Sequence, residues 1–125
     1  MRVNILTPSS WPVALRLSLL GGLYLTVVVA ALTPAARPPT SGGFDYYLRA
    51  LVFGSLTIVT FAAFPVAWVV ACVVFTTSIL IEVGQMLVPE RSASWGDVAA
   101  NALGIAIGML AILLWRSRFG YTKNN

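Results

Sequence analysis

The chain predicts an all-α integral membrane protein with four transmembrane helices in an antiparallel bundle. Of its 125 residues, 58% are hydrophobic and only 10% are charged, and the mean hydropathy is +0.87. A soluble globular domain carries about 25% charged residues. The apolar sequence also divides into stretches of about 20 residues, the length a helix needs to cross a bilayer. Between them lie prolines, glycines and short polar runs, which read as connections. The length allows one domain, 1–125.

The first span is read over 12–32, apolar except for Arg16. Arg16 lies within about two turns of its start, where a long basic side chain snorkels to the headgroups. A cleaved signal peptide is the rival reading, with Arg2 and Arg16 as its basic region and Thr33-Pro34-Ala35-Ala36 near the cut. The apolar run is long for that purpose. Residues 33–43 hold three prolines, Arg37 and Gly42-Gly43, and read as a loop. The second span covers 44–64 and carries Asp45 and Arg49 in its first turns. Pro65 marks a tight uncharged turn. The third covers 66–88, with Pro89 just beyond its end, and the fourth covers 95–115. Short connections make successive helices antiparallel neighbours.

Four spans put both termini on one side, together with Arg2, Arg16, Arg116, Arg118 and Lys123 and no acidic residue. The other side has Arg37, Arg49 and Arg91 with all four acids, Asp45, Glu82, Glu90 and Asp97. The positive-inside rule therefore places the termini in the cytoplasm of a cell (inner) membrane protein. Tyr46, Tyr47 and Trp95 then belong to the outer interface, and Trp11 and Trp115 to the inner one.

Several functions are excluded or disfavoured. The net charge of +4 comes from scattered or terminal residues, not from a basic run interleaved with aromatics, so nucleic acid is not an expected partner. The chain has no histidine, which removes the commonest general base and metal ligand and any Ser–His or Cys–His nucleophile pair. No metal or cofactor is expected. The single cysteine, Cys72, stands in an apolar run and reads as a small buried apolar residue.

The polar residues of the apolar sequence concentrate between Glu82 and Gly108. The pattern is Glu82-x-x-Gln85, Pro89-x-Arg91, Ser94-x-x-Asp97, Asn101 and Gly104-x-x-x-Gly108. In the antiparallel arrangement Asp45 and Arg49, Glu82 and Gln85, and Asp97 and Asn101 reach one membrane depth. Ionisable groups at that depth are costly and mark sites. Ser78, Glu82 and Gln85 share one helix face. Glu82 should lie about 9 Å inside the end at Val88, at a rise of about 1.5 Å per residue. There it faces the bundle and either pairs with Arg49 or Arg91 or takes up a proton. A structural ion pair that fixes helix register explains it equally simply. Ser94-x-x-Asp97 fits a capping box, which accounts for Asp97 without any ligand. Asn101, one turn deeper, suits a hydrogen bond across helices, and Gly104 and Gly108 suit close helix packing. Asp45 and Arg49 are spaced for an ordinary i,i+4 pair.

Together these residues resemble the VanZ-like family of small bacterial and archaeal membrane proteins. The matching motif covers about a quarter of the chain. The resemblance implies a multi-span helical protein and carries the family's polar motif onto Glu82, Gln85, Arg91, Asp97 and Asn101. The founding member is tied to teicoplanin resistance, which implies work on cell-wall precursors or lipid head groups. One departure stands out. The family often has Asp-Lys-x-x-His at the start of the second span, where this chain has Asp45-Tyr46-Tyr47-Leu48-Arg49. An arginine is a poor proton shuttle, so binding survives the change more easily than catalysis.

The expected function is recognition of a membrane lipid or lipid-linked cell-wall precursor, as glycolipid or lipid phosphate. The binding residues are Asp45, Arg49, Glu82, Gln85, Arg91, Asp97 and Asn101. Whether the chain is an enzyme stays open, with Glu82 and Asp97 as the acid–base candidates. The alternatives are a small transporter or channel subunit assembled as a homo-oligomer through the Gly104/Gly108 face, or a structural membrane partner without catalysis.

Overall fold

In lipid a backbone must satisfy its own hydrogen bonds, so apolar stretches rich in Val, Ile and Thr still become helices. The structure is a computed structural model that describes residues 10–33, 43–88 and 94–119, without the side chains of 43–45 and 119. Arg2, Arg37, Pro89, Glu90, Arg91 and Lys123 lie outside the described residues, as does the side chain of Asp45. Among the described residues, four helices make up the fold: α1 (Val13–Leu32), α2 (Gly43–Ala63), α3 (Ala67–Gln85) and α4 (Trp95–Phe119). Each is long and apolar enough to cross a membrane. The chain is a multi-pass helical membrane protein.

Side-chain bonds fix the directions of the helices. Arg49 near the start of α2 reaches Glu82 near the end of α3 and Asp97 at the start of α4. Gln85 at the end of α3 reaches Ala31 at the end of α1. The helices therefore alternate in direction, and α2 runs parallel to α4.

The pair α2 and α4 packs most extensively, for a reason visible in its small residues. A Cβ on Gly104 would run into the backbone of Ala50, and one on Gly108 would come within 2.8 Å of the Gly54 carbonyl oxygen. Ala50-x-x-x-Gly54 thus lies against Gly104-x-x-x-Gly108, and the two backbones approach as small residues allow. The face expected to serve a second copy is occupied by α2 of the same chain. Behind this seam Phe53, Leu56, Val70, Val74, Ile81 and Ile105 form the core.

Two helix ends differ from the expected spans. α3 stops at Gln85, not Val88, because its last turn tightens. The Met86 N–H is shared between the Glu82 and Val83 carbonyls, and Leu87 and Val88 donate to Gly84 and Gln85. Such i→i−3 bonds close a helix end. Glu82 accordingly sits in the last turn of α3, not two turns inside it. α4 runs past Trp115 to Phe119, with Arg116 and Arg118 in its last turn, where cations complement the helix dipole.

α1 is the outlying helix and buries no residue fully. Polar contacts tie it down. The Tyr24 and Thr60 hydroxyls are 2.8 Å apart. Arg16 donates to the Trp11 and Ala63 carbonyls at 3.0 and 2.8 Å and stacks over Phe64 at 4.6 Å. Arg16 therefore caps the end of α2 rather than simply snorkelling. Cys72 corrects another expectation: it is exposed. The buried stripe of α3 runs through Val70, Val74, Ser78 and Ile81, and residue 72 points to the opposite, lipid-facing side.

Candidate functional site

The buried stripe of α3 changes character along its length. Val70 and Val74 belong to the apolar core, whereas Ser78, Glu82 and Gln85 carry the same stripe into a polar layer. Arg49 enters this layer from α2. Its Nη1 donates to Glu82 Oε1 at 2.6 Å, its Nη2 to Gln85 Oε1 at 3.5 Å, and its Nε lies 3.5 Å from Asp97 Oδ1. One guanidinium thus stands between two carboxylates. Glu82 is only 3% exposed, and the Arg49 side chain 14%.

α4 contributes two residues one turn apart. Ser94 caps the helix: its Oγ accepts the Asp97 N–H at 3.1 Å. That is the half of the capping box that satisfies an orphan backbone donor. The Asp97 carboxylate meanwhile faces Arg49, a pairing that the sequence pattern did not assign to it. Asn101, fully buried, donates from Nδ2 to Ser78 Oγ at 3.0 Å and to Glu82 Oε1 at 3.4 Å. α1 joins through its backbone, where the Ala31 carbonyl accepts Gln85 Nε2 at 3.0 Å. All four helices meet in this layer.

The layer is not fully satisfied. Among the described residues, the buried side-chain nitrogen and oxygen atoms without a hydrogen-bond partner are Glu82 Oε2 and Asn101 Oδ1. Both are acceptors. A buried unpaired polar group costs about 1–3 kcal/mol, so these two atoms need a physical account.

Beside the layer, a groove of about 250 Å³ is lined by α1, α2 and the last turns of α3. Val27, Ala30, Val52 and Phe53 make its walls apolar, and Arg49 and Gln85 are also in its lining. Beyond Ser78 the bundle interior closes on Phe53, Leu56, Val70 and Val74. Thr57 and Thr60 are buried there, but their hydroxyls donate to the Phe53 and Leu56 carbonyls of their own helix at 2.7 and 2.6 Å.

Of the residues expected at the site, Arg49, Glu82, Gln85, Asp97 and Asn101 come together. Arg91 and the Asp45 side chain lie outside the described residues. Gly104 and Gly108 support the site from the α2–α4 seam. Sequence reasoning missed the other side of that seam, Ala50 and Gly54, whose only signal was a second small-x-x-x-small pattern in an apolar span. It also missed the Ala31 carbonyl, which a side-chain pattern cannot reveal. Tyr46 and Trp95 are exposed as interfacial aromatics would be, and the Tyr46 hydroxyl lies against Gly96, where a Cβ would come within 2.7 Å of it. Among the described residues, no group of three or more Cys, Asp or Glu could hold a metal ion.

A family model described as VanZ/LLP1 matches residues 14–116. No curated protein and no solved structure matches the chain.

Proposed function

The chain belongs to the VanZ/LLP1 family, and from that premise we propose that its polar layer holds the head group of a membrane lipid or lipid-linked cell-wall precursor. The observation that carries this reading is the junction of groove and layer. An apolar groove that has Arg49 and Gln85 in its lining matches an amphiphile, with acyl chain along the wall and head at the polar residues. The charge distribution of the sequence supports a reading with this end of the bundle outside a cytoplasmic membrane and both chain termini inside. Outward-facing envelope lipids are then within reach. Glu82 and Asp97 are the groups available for acid–base chemistry if the bound head group is also modified.

The packing of Phe53, Leu56, Val70 and Val74 beyond the layer supports a closed pocket over a path through a single chain. The test is native mass spectrometry of protein extracted in mild detergent, beside an Arg49→Gln, Glu82→Gln double variant. Neutralising both partners avoids leaving Glu82 charged and alone; Asp97 still loses its contact with Arg49, so the comparison is made on double-variant protein shown to be folded. A defined lipid retained by the native chain and lost from the folded double variant is the expected result. Equal retention by both would overturn the reading.

A further inference from the structure

We propose that the group entering the polar layer is a hydrogen-bond donor, a hydroxyl or an ammonium, and not a phosphate; this deepens the head-group reading above and rests on it. Two independent observations converge. The first is the pair of unpartnered atoms. With Glu82 ionised in its pair with Arg49, Glu82 Oε2 and Asn101 Oδ1 are both acceptors, on residues 3% and 0% exposed. No buried side-chain donor among the described residues lacks a partner. A ligand that supplies donors completes the layer, whereas one that supplies only acceptors adds to the deficit.

The second observation is charge. In the layer, Arg49 is shared by Glu82 and Asp97. A phosphate would have to take the guanidinium from a carboxylate 2.6 Å away and would add negative charge beside two carboxylates. A hydroxyl takes no cation from a carboxylate, and an ammonium offsets the second of the two carboxylates that share Arg49 among the described residues. Arg49 also lines the groove. It is the cation of the layer among the described residues, and a donor arriving from the groove passes Arg49 and Gln85, which line it, to reach Glu82 and Asn101 behind them. Glu82 and Asn101 are linked through Asn101 Nδ2 and Glu82 Oε1, so a donor on either acceptor stabilises both helices that carry them.

The experiment uses the full chain in phosphatidylcholine nanodiscs and three probes with one hexyl tail: hexyl glucoside, hexylammonium and hexyl phosphate. Binding is read by calorimetry and by the unfolding midpoint. At least one of the two donor probes should bind about tenfold or more tightly than hexyl phosphate, the scale of one hydrogen bond to a charged group. Glu82→Gln and Asn101→Ala should each reduce that preference. Hexyl phosphate binding as well as or better than both donor probes would overturn this inference and leave the head-group pocket standing. No binding by any of the three would overturn both. A preference unchanged in folded Glu82→Gln and Asn101→Ala protein would place the donor elsewhere and also overturn it. If a variant does not fold, the native probe series still decides.

Discussion

Arg49 Nη1 reaches Glu82 Oε1 across two helices at 2.6 Å, joining the early turns of α2 to the last turn of α3. A pair this buried is weak evidence for net stability, because desolvation offsets much of the attraction. Its removal is another matter. Arg49→Ala leaves Glu82 and Asp97 without their shared cation and should cost about 3–5 kcal/mol. The Arg49→Gln, Glu82→Gln double variant should lose less than the two single changes together. Unfolding by sodium dodecyl sulfate in bicelles measures this, and additive losses would show that the pair is not coupled.

The seam between α2 and α4 predicts a graded series. Gly104→Ala drives a Cβ into the Ala50 backbone, Gly108→Ala meets Gly54 and Thr57, and Gly54→Ala only approaches the Gly104 oxygen at 3.1 Å. Destabilisation should fall in that order, from about 1–3 kcal/mol at Gly104. Gly21→Ala and Gly22→Ala, with nothing within 4 Å, are the controls. They should leave the unfolding midpoint unchanged or slightly raised.

Ser94→Ala removes the acceptor for the Asp97 N–H and should cost about 1 kcal/mol. Ser94→Asp should recover most of it. Recovery by Asp but not by Ala in a bicelle unfolding series identifies capping as the role of Ser94.

Tyr24→Phe deletes the hydroxyl that meets Thr60. Interhelical hydrogen bonds of this kind contribute about 0.6 kcal/mol on average. The loss should be of that size, and Thr60→Val in the Tyr24→Phe background should add little. A large further loss would mean that Thr60 Oγ1 depends on its own-helix bond to Leu56 more than on Tyr24.

Cys72 is exposed in the second turn of α3. In a bilayer it should react with a membrane-permeant maleimide and resist a charged one. Cys72→Ala should be nearly neutral, giving a cysteine-free background for placing probes along α3. Labelling by the charged reagent in intact membranes would put water beside that face.

The four-helix architecture was legible because each span states itself through length and hydropathy. The polar layer was legible because Glu82, Asp97 and Asn101 are conspicuous in apolar sequence. Antiparallel threading then brought Arg49 to the same end. The partners of Gly104 and Gly108 were harder to read: Ala50 and Gly54 differ from their neighbours only in size, and packing alone selects them. The end of α3 was misplaced because 86–88 are hydropathically suited to a helix, while the break is made by backbone bonds. Cys72 shows the same limit. Composition says that a residue lies in a span, but only the stripe of its neighbours says which way it faces.

The parallel seam of Ala50 and Gly54 against Gly104 and Gly108 also sets an order of assembly. On the ribosome, α2 is made before α4, with all of α3 between them. A nascent chain that ends before residue 94 already has Arg49, Glu82 and Gln85, but it lacks Asp97, Asn101 and the surface that covers Ala50 and Gly54. The polar layer is therefore complete only when the last helix is inserted. Chains halted earlier should be cleared by membrane proteolysis, and coexpressing residues 94–125 as a separate segment should restore their lifetime in a pulse-chase measurement.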